Sequence, residues 1–551
     1  MNKDMTPWQR FVNLLKLDKR DLRQIFYYAI FSGLVALTLP LGIQAIVNLI
    51  QGAQVSTSWI ILVILVTVGV AFQGILQVMQ IRILENMQQK IFTRSSFEFA
   101  YRFPKIKSSE FNHYYPPELA NRFFDTLTVQ KGLAKILLDF PAAILQIIFG
   151  LILLSLYHPF FIIYGLLLVI MVYIVFNLTA RKGLISSLNE SKSKYAVAHW
   201  LQEIARSITS FKLSGNTSLA MDRNNKLTES YLESRETHFK ILMLQFVQMI
   251  GFKVLVTAGL LLIGGLLVLN QEMNIGQFVA AEIIILLVIN SVEKLVTGLE
   301  SFYDVLTSLE KIGQVVDKEL ESQDGTNPFK SNKEATISLD NVSYVGGTGD
   351  TVLQNLNLEL NPKDRVFIDG PSGSGKTTLL KLLSGIIEPT SGSIYVNDFN
   401  IKGMHMNTYR SQIGQVLPEQ MPFEGSILEN ITLGNTNISI DKVNQTIRDV
   451  GLLEFVRKQP RGIEDFIFSE GQKIPHTVSK RLLIARAIVH NPKILILKDA
   501  LEHFEDHEAQ ELIQFLSDPN RDWLLIVSGK HTDWEDVCNK QLSLHKVNTS
   551  S

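Results

Sequence analysis

The chain has 551 residues and a formal net charge of −1 at pH 7. Its length indicates two or more domains. The nearly neutral charge argues against a nucleic-acid partner, because no global positive field would attract one. The single cysteine, Cys538, excludes an intramolecular disulfide and fits a reducing compartment around the C-terminal half.

Long apolar runs dominate the first part of the chain. A run of about 20 apolar residues matches the hydrocarbon thickness of a bilayer at a rise of about 1.5 Å per residue. Buried core helices are the alternative, but a soluble core rarely needs several such runs. The sequence therefore predicts membrane spans at residues 24–50, 59–79, 136–157, 160–180, 241–269 and 275–296.

The segment before the first span is polar and charged, which predicts no cleavable signal peptide. Within it, Trp8, Phe11, Val12 and Leu15 recur at helical spacing beside basic residues. This pattern indicates a helix that lies on the membrane face, and a solvated leader is the alternative.

The connections between the spans predict the topology. Those after the first, third and fifth spans are short and have no lysine or arginine, whereas residues 82–135 and 181–240 are long and rich in both. Because positive charge is retained on the cytoplasmic side, both termini and both long segments are expected inside, in an integral protein of the bacterial inner membrane. The long segments have helical patterns, so the spans are expected to extend well beyond the lipid.

Charged residues within the predicted spans include Lys253, Glu282 and Glu293. Charges at membrane depth are costly and usually pair. Lys253 and Glu293 are equally distant from the turn at Met273, which predicts that they share a depth in an antiparallel hairpin and form an ion pair. Snorkelling of both side chains towards the inner interface is the alternative.

A polar segment follows the last span. Residues 317–334 lose helical periodicity and contain Gly325 and Pro328, which predicts a linker between a transmembrane domain, residues 1–316, and a second domain, residues 335–551. Beyond the linker, short β-rich runs alternate with helical stretches. This alternation is typical of an α/β domain with a parallel sheet.

A glycine-rich motif, GPSGSGKTT, follows the strand-like run RVFID and precedes a helical run. This order is typical of a P-loop, in which backbone N–H groups surround phosphate oxygens at a helix N-terminus. We expect Lys376 to reach the β- and γ-phosphates of ATP and Thr377 to bind Mg²⁺. The predicted nucleotide-binding residues are Gly370, Pro371, Ser372, Gly373, Ser374, Gly375, Lys376, Thr377 and Thr378. The predicted fold is an all-α six-helix transmembrane domain plus an α/β P-loop nucleotide-binding domain.

Six spans, two long inner segments and a P-loop domain resemble a half-unit of an ABC transporter of the exporter type. In the first inner segment, FNHYYPPELANRFFD resembles one coupling segment of that family, with Glu118 and Arg122 at its charged positions. In the second, EIARSITSFKLSG resembles the other, with Glu203 and Lys212. An ordinary solvated helical hairpin is the alternative for each. The resemblance implies a dimer, formed with a second copy or with another half-transporter.

Several residues that the family uses for hydrolysis are replaced in this sequence. The magnesium aspartate position is Lys498, the catalytic glutamate position is Asp499, the sensing glutamine position is Pro418, and the histidine position is Gly529. The signature segment reads IPHTV, residues 474–478, in place of a serine followed by glycines. No residue is therefore a confident catalytic candidate, and a weak or inactive ATPase is expected.

Two readings of the strand end remain open. Asp499 is the magnesium ligand shifted by one residue only if a bulge re-aims it, because neighbouring strand residues face opposite sides. Otherwise the Lys498 ammonium either repels the cation or replaces part of its charge.

Two functions follow from these patterns. The first is a transporter subunit that binds ATP and moves substrate, with a periplasmic adaptor as a possible partner and with protein, lipid or drug export all open. The second is a regulatory or assembly component of an envelope complex that binds ATP without turnover.

Overall fold

The computed structural model describes residues 5–51, 57–111, 114–330, 334–347, 349–531 and 533–547, with the backbone alone described at 175 and 176. The chain divides into two compact units. A helical unit comprises Met1–Lys105 and Tyr114–Lys318, and an α/β unit comprises Ile106–His113 and Glu319–Ser551. Part of the first predicted inner segment therefore belongs to the α/β unit, where the Lys107 N–H donates to the Glu319 carbonyl oxygen at 3.0 Å.

In its described residues, the helical unit consists of α-helices with two single turns of 3-10 helix, Phe103–Lys105 and Asn121–Phe124. Its α-helices are α1 (Pro7–Leu17), α2 (Lys19–Ala36), α3 (Thr38–Gln51), α4 (Thr57–Arg102), α5 (Pro116–Ala120), α6 (Asp125–Tyr157), α7 (Phe160–Arg206), α8 (Ile208–Leu213), α9 (Leu219–Leu269) and α10 (Ile275–Val316).

Six helical segments of the described chain are long and apolar enough to cross a membrane, which confirms the predicted number of spans. They are Lys19–Gln51, Thr57–Lys105, Pro116–Tyr157, Phe160–Arg206, Leu219–Leu269 and Ile275–Val316. The predicted helical extension beyond the lipid is also confirmed. Helix α9 has 51 residues, so at 1.5 Å per residue it extends about 75 Å, against a hydrocarbon core of about 30 Å.

The first span consists of two helices instead of one. Helix α2 ends at Ala36, α3 begins at Thr38, and Pro40 lies in the first turn of α3. Proline has no N–H to donate to the preceding turn and is tolerated best at the start of a helix. The Thr38 hydroxyl donates to the Val35 carbonyl oxygen at 2.7 Å, which satisfies one of the open acceptors at the end of α2.

The N-terminal amphipathic helix is present as α1 and is attached to α10. The Phe11 side chain is buried, and its ring lies edge-on to Phe302 with the centroids 5.4 Å apart, whereas Trp8 is exposed. Arg10 forms ion pairs with Glu310 and Asp317 near the end of α10. The apolar and charged contacts together hold α1 along the last helix of the unit.

The α/β unit contains short strands and helices in alternation. Its strands are β1 (Ile337–Val345), β2 (Thr351–Leu360), β3 (Arg365–Asp369), β4 (Ser391–Val396), β5 (Phe399–Asn400), β6 (Ile413–Val416), β7 (Gly425–Ser426), β8 (Phe466–Ile467), β9 (Ile494–Lys498), β10 (Leu524–Ser528) and β11 (Lys540–Ser543). Its α-helices are α11 (Lys376–Leu383), α12 (Met406–Arg410), α13 (Ile427–Thr432), α14 (Ile440–Asp449), α15 (Leu453–Arg457), α16 (His476–Ile488), α17 (Asp506–Leu516) and α18 (Asp533–Val537).

Two main sheets support the α/β unit. One is antiparallel with the order β2-β1-β4-β5, and the other has the order β11-β3-β10-β9-β6 with every neighbouring pair parallel. The predicted parallel sheet is therefore confirmed. Because parallel strands end at the same edge, the segments after β3, β6, β9 and β10 meet along one edge of the sheet, where open α/β sheets usually bind ligands.

The two faces of the parallel sheet pack against different helices. Ile494 and Ile496 of β9 and Ile526 of β10 pack in one cluster with Leu379 of α11. The alternate residue Leu497 packs in a second cluster that includes residues of α16 and α17. This alternation decides on which face a side chain at the end of a strand emerges.

The predicted linker is partly built into the α/β unit. Helix α10 ends at Val316 and β1 begins at Ile337, and residues 331–333 of the interval lie outside the described chain. Glu321 accepts two hydrogen bonds from the Arg410 guanidinium, at 2.6 and 2.8 Å, and Phe329 is buried against Tyr409. The polar sequence predicted a linker. In the structure, the Glu321 ion pair and the buried Phe329 ring attach the middle of this segment to α12.

Candidate nucleotide-binding site

The predicted P-loop connects β3 to α11. Gly375, the last residue before α11, has a φ of +92°, which residues with a Cβ rarely adopt. Gly370, the first residue after β3, has a φ of +141°, and a Cβ there would lie 2.3 Å from the Leu544 carbonyl oxygen. The loop therefore requires glycine at both of its ends.

The loop presents unpaired hydrogen-bond donors. Among the described residues no side chain caps α11, so the N–H groups of its first turn, including those of Thr377 and Thr378, have no intrahelical acceptor. Ser374 is 1% exposed, and its hydroxyl has no hydrogen-bond partner in the described chain. A buried polar atom without a partner is costly, and an anion at a helix N-terminus satisfies such donors. These features fit the phosphates of a nucleotide.

The side chain of Lys376 folds back over the loop. Its ammonium donates to the carbonyl oxygen of Gly370 and, at 3.0 Å, to that of Pro371. This position lies beside the phosphate cradle, so the ammonium can exchange carbonyl oxygens for phosphate oxygens. Thr377, the predicted magnesium ligand of the loop, is the next residue and is half-buried.

β9 ends at Lys498, the position at which the family has its magnesium aspartate. Two and four residues earlier, Ile496 and Ile494 face α11, so Lys498 continues the face that carries the P-loop helix. Its side chain is 13% exposed, and its Nζ lies 2.6 Å from Oδ2 of Asp499.

Asp499 leaves the direction of the strand. Its φ is +49°, in the left-handed region, so its carboxylate does not point to the opposite face of the sheet but contacts the Lys498 ammonium. A one-residue shift of the metal ligand requires such a change in backbone direction. The Asp499 carboxylate is, however, already paired with the Lys498 ammonium.

The strand end therefore fits magnesium poorly. Mg²⁺ prefers octahedral oxygen coordination, usually with one or two carboxylates and with phosphate oxygens. At the family positions this chain offers the Thr377 hydroxyl and the ion-paired Asp499 carboxylate. In the ranges that the structure describes, no group of three His, Cys, Asp or Glu side chains could hold a metal ion.

The segment after β6 lacks a sensing amide in the family position. Pro418 is exposed in a turn. Gln420, the nearby glutamine, uses its side-chain oxygen to accept a hydrogen bond from the Leu417 N–H at 3.2 Å. The amide of Gln420 therefore stabilises its own turn.

The segment after β10 lacks the histidine. Gly529 follows the strand directly, and His531, two residues further on, has its Nε2 atom 2.8 Å from the carbonyl oxygen of Leu501. This contact ties His531 to the segment that follows β9, away from the family position.

The altered signature segment leads into α16. Pro475 is the residue before the helix and has no N–H to offer. His476 begins the helix, and its ring lies edge-on to His503 with the centroids 4.5 Å apart. The pKa of His476 is lowered from 6.5, mainly by burial and secondarily by the neighbouring charges of His503 and Lys480. An uncharged imidazole at neutral pH thus occupies a position where the family has glycine.

In the register that the NVSY run sets, the family's adenine-stacking position falls on Gly346, so this position has no aromatic side chain. Gly346, which the register gives, lies in the turn after β1, and its N–H donates to the Asp350 carbonyl oxygen at 2.8 Å. Tyr344 lies on β1 opposite Leu353 and packs partly into the core.

The charged residues of the first coupling segment contact one another. Oε1 of Glu118 accepts a hydrogen bond from Arg122 at 3.1 Å, and Oε2 lies 3.2 Å from Nδ1 of His199 on α7. The Arg122 guanidinium also lies over the Tyr195 ring, 3.6 Å from its centroid. Asn112 and His113 of this segment lie outside the described residues.

In the second coupling segment, the charged residue Glu203 contacts a residue of its own segment, and Lys212 is exposed. Glu203, at the end of α7, pairs with Arg206 at 2.6 Å, and this neighbour lowers the pKa of the Glu203 carboxyl. Lys212 lies on the short helix α8, where it is exposed.

The membrane charges include the pair that the sequence predicts. Nζ of Lys253 on α9 lies 3.4 Å from Oε2 of Glu293 on α10, while Glu282 is half-buried on α10. A cavity of about 560 Å³ lies beside Glu293. Its polar lining includes Gln73, Gln77, Gln146, Asn290 and Ser291.

Sequence reasoning missed one functional candidate, Lys480. It lies on α16 and is buried, and Asp499 and Glu502 raise its pKa against the larger lowering effect of burial. A signal was available, because Lys480 follows His476 by one helical turn and therefore shares its face. The lysine comes under the electrostatic influence of the strand end only through the tertiary fold.

A chain with six apolar helical spans and an α/β unit with a P-loop defines a membrane protein of the nucleotide-binding class. Comparison with known families narrows the class. Residues 24–292 match the family described as the ABC transporter transmembrane region, and residues 353–502 match the family described as ABC transporter. The chain belongs to the ABC transporter family.

Two curated relatives extend this result. The chain is 32% identical over 270 residues to an alpha-hemolysin translocation ATP-binding protein of Escherichia coli O157:H7, a match that covers 49% of this chain and 38% of the relative. It is 30% identical over 317 residues to a leukotoxin translocation ATP-binding protein of Mannheimia haemolytica, covering 57% and 44%. The matched regions thus span less than half the length of these relatives.

A solved structure shares the fold. A bacterial Atm1-family ABC exporter with ATP bound matches with a TM-score of 0.84 at 17% identity, over 96% of this chain and 94% of that one. The chain therefore has the exporter fold, with one membrane domain and one ABC ATP-binding domain.

Proposed function

We propose that this chain is one half of a dimeric ABC exporter of the bacterial inner membrane, with both termini cytoplasmic, which binds ATP but hydrolyses it slowly or not at all. The observation that carries the proposal is a contrast along one sheet edge. The loop after β3 keeps the glycines, the open donors and Lys376, while Pro418, Lys498 and Gly529 replace the hydrolytic groups after β6, β9 and β10.

Binding is supported by the form of the loop. The buried Ser374 hydroxyl and the first-turn N–H groups of α11 have no acceptor in the described chain, and the phosphates of ATP supply acceptors for them. The Lys376 ammonium adds the charge that the β- and γ-phosphates need. The chain's own residues thus bind and orient the triphosphate.

Slow hydrolysis is supported by the loss of several independent groups. A general base contributes roughly 10²- to 10⁴-fold to a rate, and a donor to the transition state contributes about 10²- to 10³-fold. Asp499 is shorter than glutamate and is paired with Lys498, so it is a poor base for water. With a glycine at the histidine position as well, little acceleration remains.

The membrane unit supports transport of a substrate with hydrogen-bonding groups. The cavity beside Glu293 is lined by several amides, and amide side chains can both donate hydrogen bonds to a ligand and accept them from it. Two relatives are named as translocation proteins of alpha-hemolysin and leukotoxin, which makes a polypeptide the first substrate class to examine, and a periplasmic adaptor would accompany such a route.

The alternative, an ATP-binding regulatory or assembly component without turnover, is favoured if the chain forms a homodimer. In a homodimer, both nucleotide sites would have the substituted strand ends and the Pro475 segment of this chain. The mass of the purified complex distinguishes the two, because a transporter with working hydrolysis requires a second, different chain.

The test is an ATPase and ATP-binding measurement on the purified full chain in lipid nanodiscs. We expect ATP to bind, Lys376→Ala to weaken binding at least about tenfold, equivalent to about 1.4 kcal/mol, and phosphate release to stay at background for both. Lys402→Ala is the control, because this exposed lysine lies outside the loop. Phosphate release that Lys376→Ala abolishes would contradict the proposed slow hydrolysis.

A further inference from the structure

Three ammonium groups act on one carboxylate at the end of β9. The Lys498 Nζ lies 2.6 Å from Oδ2 of Asp499. Asp499 also acts electrostatically on Lys480, which is buried on α16, and on Lys530, which follows β10. Two other carboxylates act on Lys480, and each has a lysine partner of its own at 2.6 Å: Glu502 is paired with Lys530 and Glu419 with Lys381. Positive charge therefore exceeds negative charge at this strand end.

Such a strand end suits an anion better than a divalent cation. A magnesium ion there would approach Lys498 and would have to displace it from Asp499, and two like charges close together in a partly buried site repel strongly. A triphosphate that arrives without its metal has the opposite sign. In the family, a magnesium ion from solution balances the negative charge of the triphosphate. In this chain, the ammonium group of Lys498 is a cation that is part of the protein itself.

We infer that this chain binds ATP in its metal-free form, with the Lys498 ammonium in place of the magnesium ion. The inference rests on the proposed ATP binding at the P-loop, and it names the ionic form of the ligand that this site takes.

The position of Lys498 supports this role. Lys498 pairs with Ser528 of β10, one residue beyond the pairing of Val527 with Phe367 of β3, so it lies level with Ile368, two residues before the P-loop begins at Gly370. Adjacent strands are about 4.8 Å apart, which separates β9 from β3 by roughly 10 Å. A lysine side chain on the α11 face can cross most of that gap.

The chemistry of lysine also fits the role. An ammonium is a compact point charge with three donors, suited to phosphate oxygens. Lys498 has to exchange the Asp499 carboxylate for phosphate. Asp499 is partly exposed to solvent and stays under the electrostatic influence of Lys480, so the exchange does not leave a fully buried carboxylate without a compensating charge.

The experiment titrates ATP onto the purified full chain in nanodiscs, in excess EDTA and in millimolar MgCl₂. We expect wild-type affinity in EDTA to equal or exceed that in MgCl₂. Lys498→Met, which keeps the apolar stem and removes the charge, should weaken binding in EDTA at least about tenfold, equivalent to about 1.4 kcal/mol. Lys458→Met, a change at an exposed lysine after α15, should leave both titrations unchanged.

A third variant tests the exchange of one cation for another. Lys498→Asp restores a carboxylate at the family position, so we expect its binding to become at least about tenfold tighter in MgCl₂ than in EDTA. Thermal unfolding of each variant without nucleotide establishes that it is folded. If the position 498 variants do not fold, the two wild-type titrations decide alone.

The outcomes separate this inference from the proposed function. Wild-type binding that requires MgCl₂, or binding in EDTA that Lys498→Met leaves unchanged, overturns the metal-free form but keeps ATP binding. Absence of binding in both buffers overturns the proposed function and the inference with it.

Discussion

The loop after β3 and the ends of β6, β9 and β10 lie along the same edge of one sheet. The loop keeps the residues of the family, whereas the other strand ends have substitutions at the family positions. The first has Gly370, Gly375 and Lys376 in the geometry that a phosphate requires. The others have Pro418, Lys498 and Gly529 where the family has its hydrolytic groups. The proposed function therefore assigns ATP binding and hydrolysis to separate parts of the edge, with only the binding part kept.

Gly370 and Gly529, which directly follow β3 and β10, test this comparison. Gly370→Ala places a Cβ 2.3 Å from the Leu544 carbonyl oxygen at a φ of +141°. We therefore expect the free energy of unfolding to fall by at least about 2 kcal/mol and nucleotide binding to be lost. Gly529→Ala meets nothing nearer than Trp534 at 4.0 Å and should change the unfolding temperature little. Thermal unfolding measures both variants. Equal effects would mean that the two strand ends are under the same constraint.

A smaller effect tests the free-energy cost of burying Lys480. Burial lowers the pKa of Lys480 below its ordinary 10.5, so the folded state binds this proton less tightly than the unfolded state. The folded state therefore carries a penalty at neutral pH, and the penalty disappears as pH rises through the folded pKa towards 10.5. We expect Lys480→Met to raise the unfolding temperature at pH 7 and to raise it less at pH 10.

The control for this prediction is Lys458→Met, because Lys458 is exposed and should show no pH-dependent difference from wild type. A lower unfolding temperature for Lys480→Met at pH 7 would show instead that attraction to Asp499 outweighs the burial cost.

The most local signal is the reactivity of a single thiol, that of Cys538. Burial raises the pKa of its thiol to about 11, so at pH 8 about one thiol in a thousand is ionised, compared with about one in ten at the ordinary pKa of 9.0. We expect a thiol reagent to react about a hundredfold more slowly with the native chain than with the chain in guanidinium chloride. A Gly529→Cys variant could then report on the β10 end alone, and equally fast labelling of the native wild type would contradict the burial.

Much of the fold could be predicted because its signals are local. Span number follows from runs of apolar residues, and the parallel sheet follows from short β-rich runs between helices. The division at the first inner segment could not be predicted, because residues 106–111 lie between two spans in sequence and join the α/β unit through Lys107 and Glu319. The attachment of the linker through Glu321 and Arg410 was missed for the same reason.

By itself, the sequence determined that the chain has six spans, a P-loop and lysine at the position of the magnesium aspartate, since each is a pattern of neighbouring residues. Only the tertiary structure decided what surrounds that lysine. The left-handed backbone of Asp499 turns its carboxylate onto Lys498, and the packing of α16 places the buried Lys480 under the electrostatic influence of the same carboxylate. Backbone conformation and contacts between distant elements are set by the whole fold, so residue spacing could not reveal an excess of positive charge at the strand end.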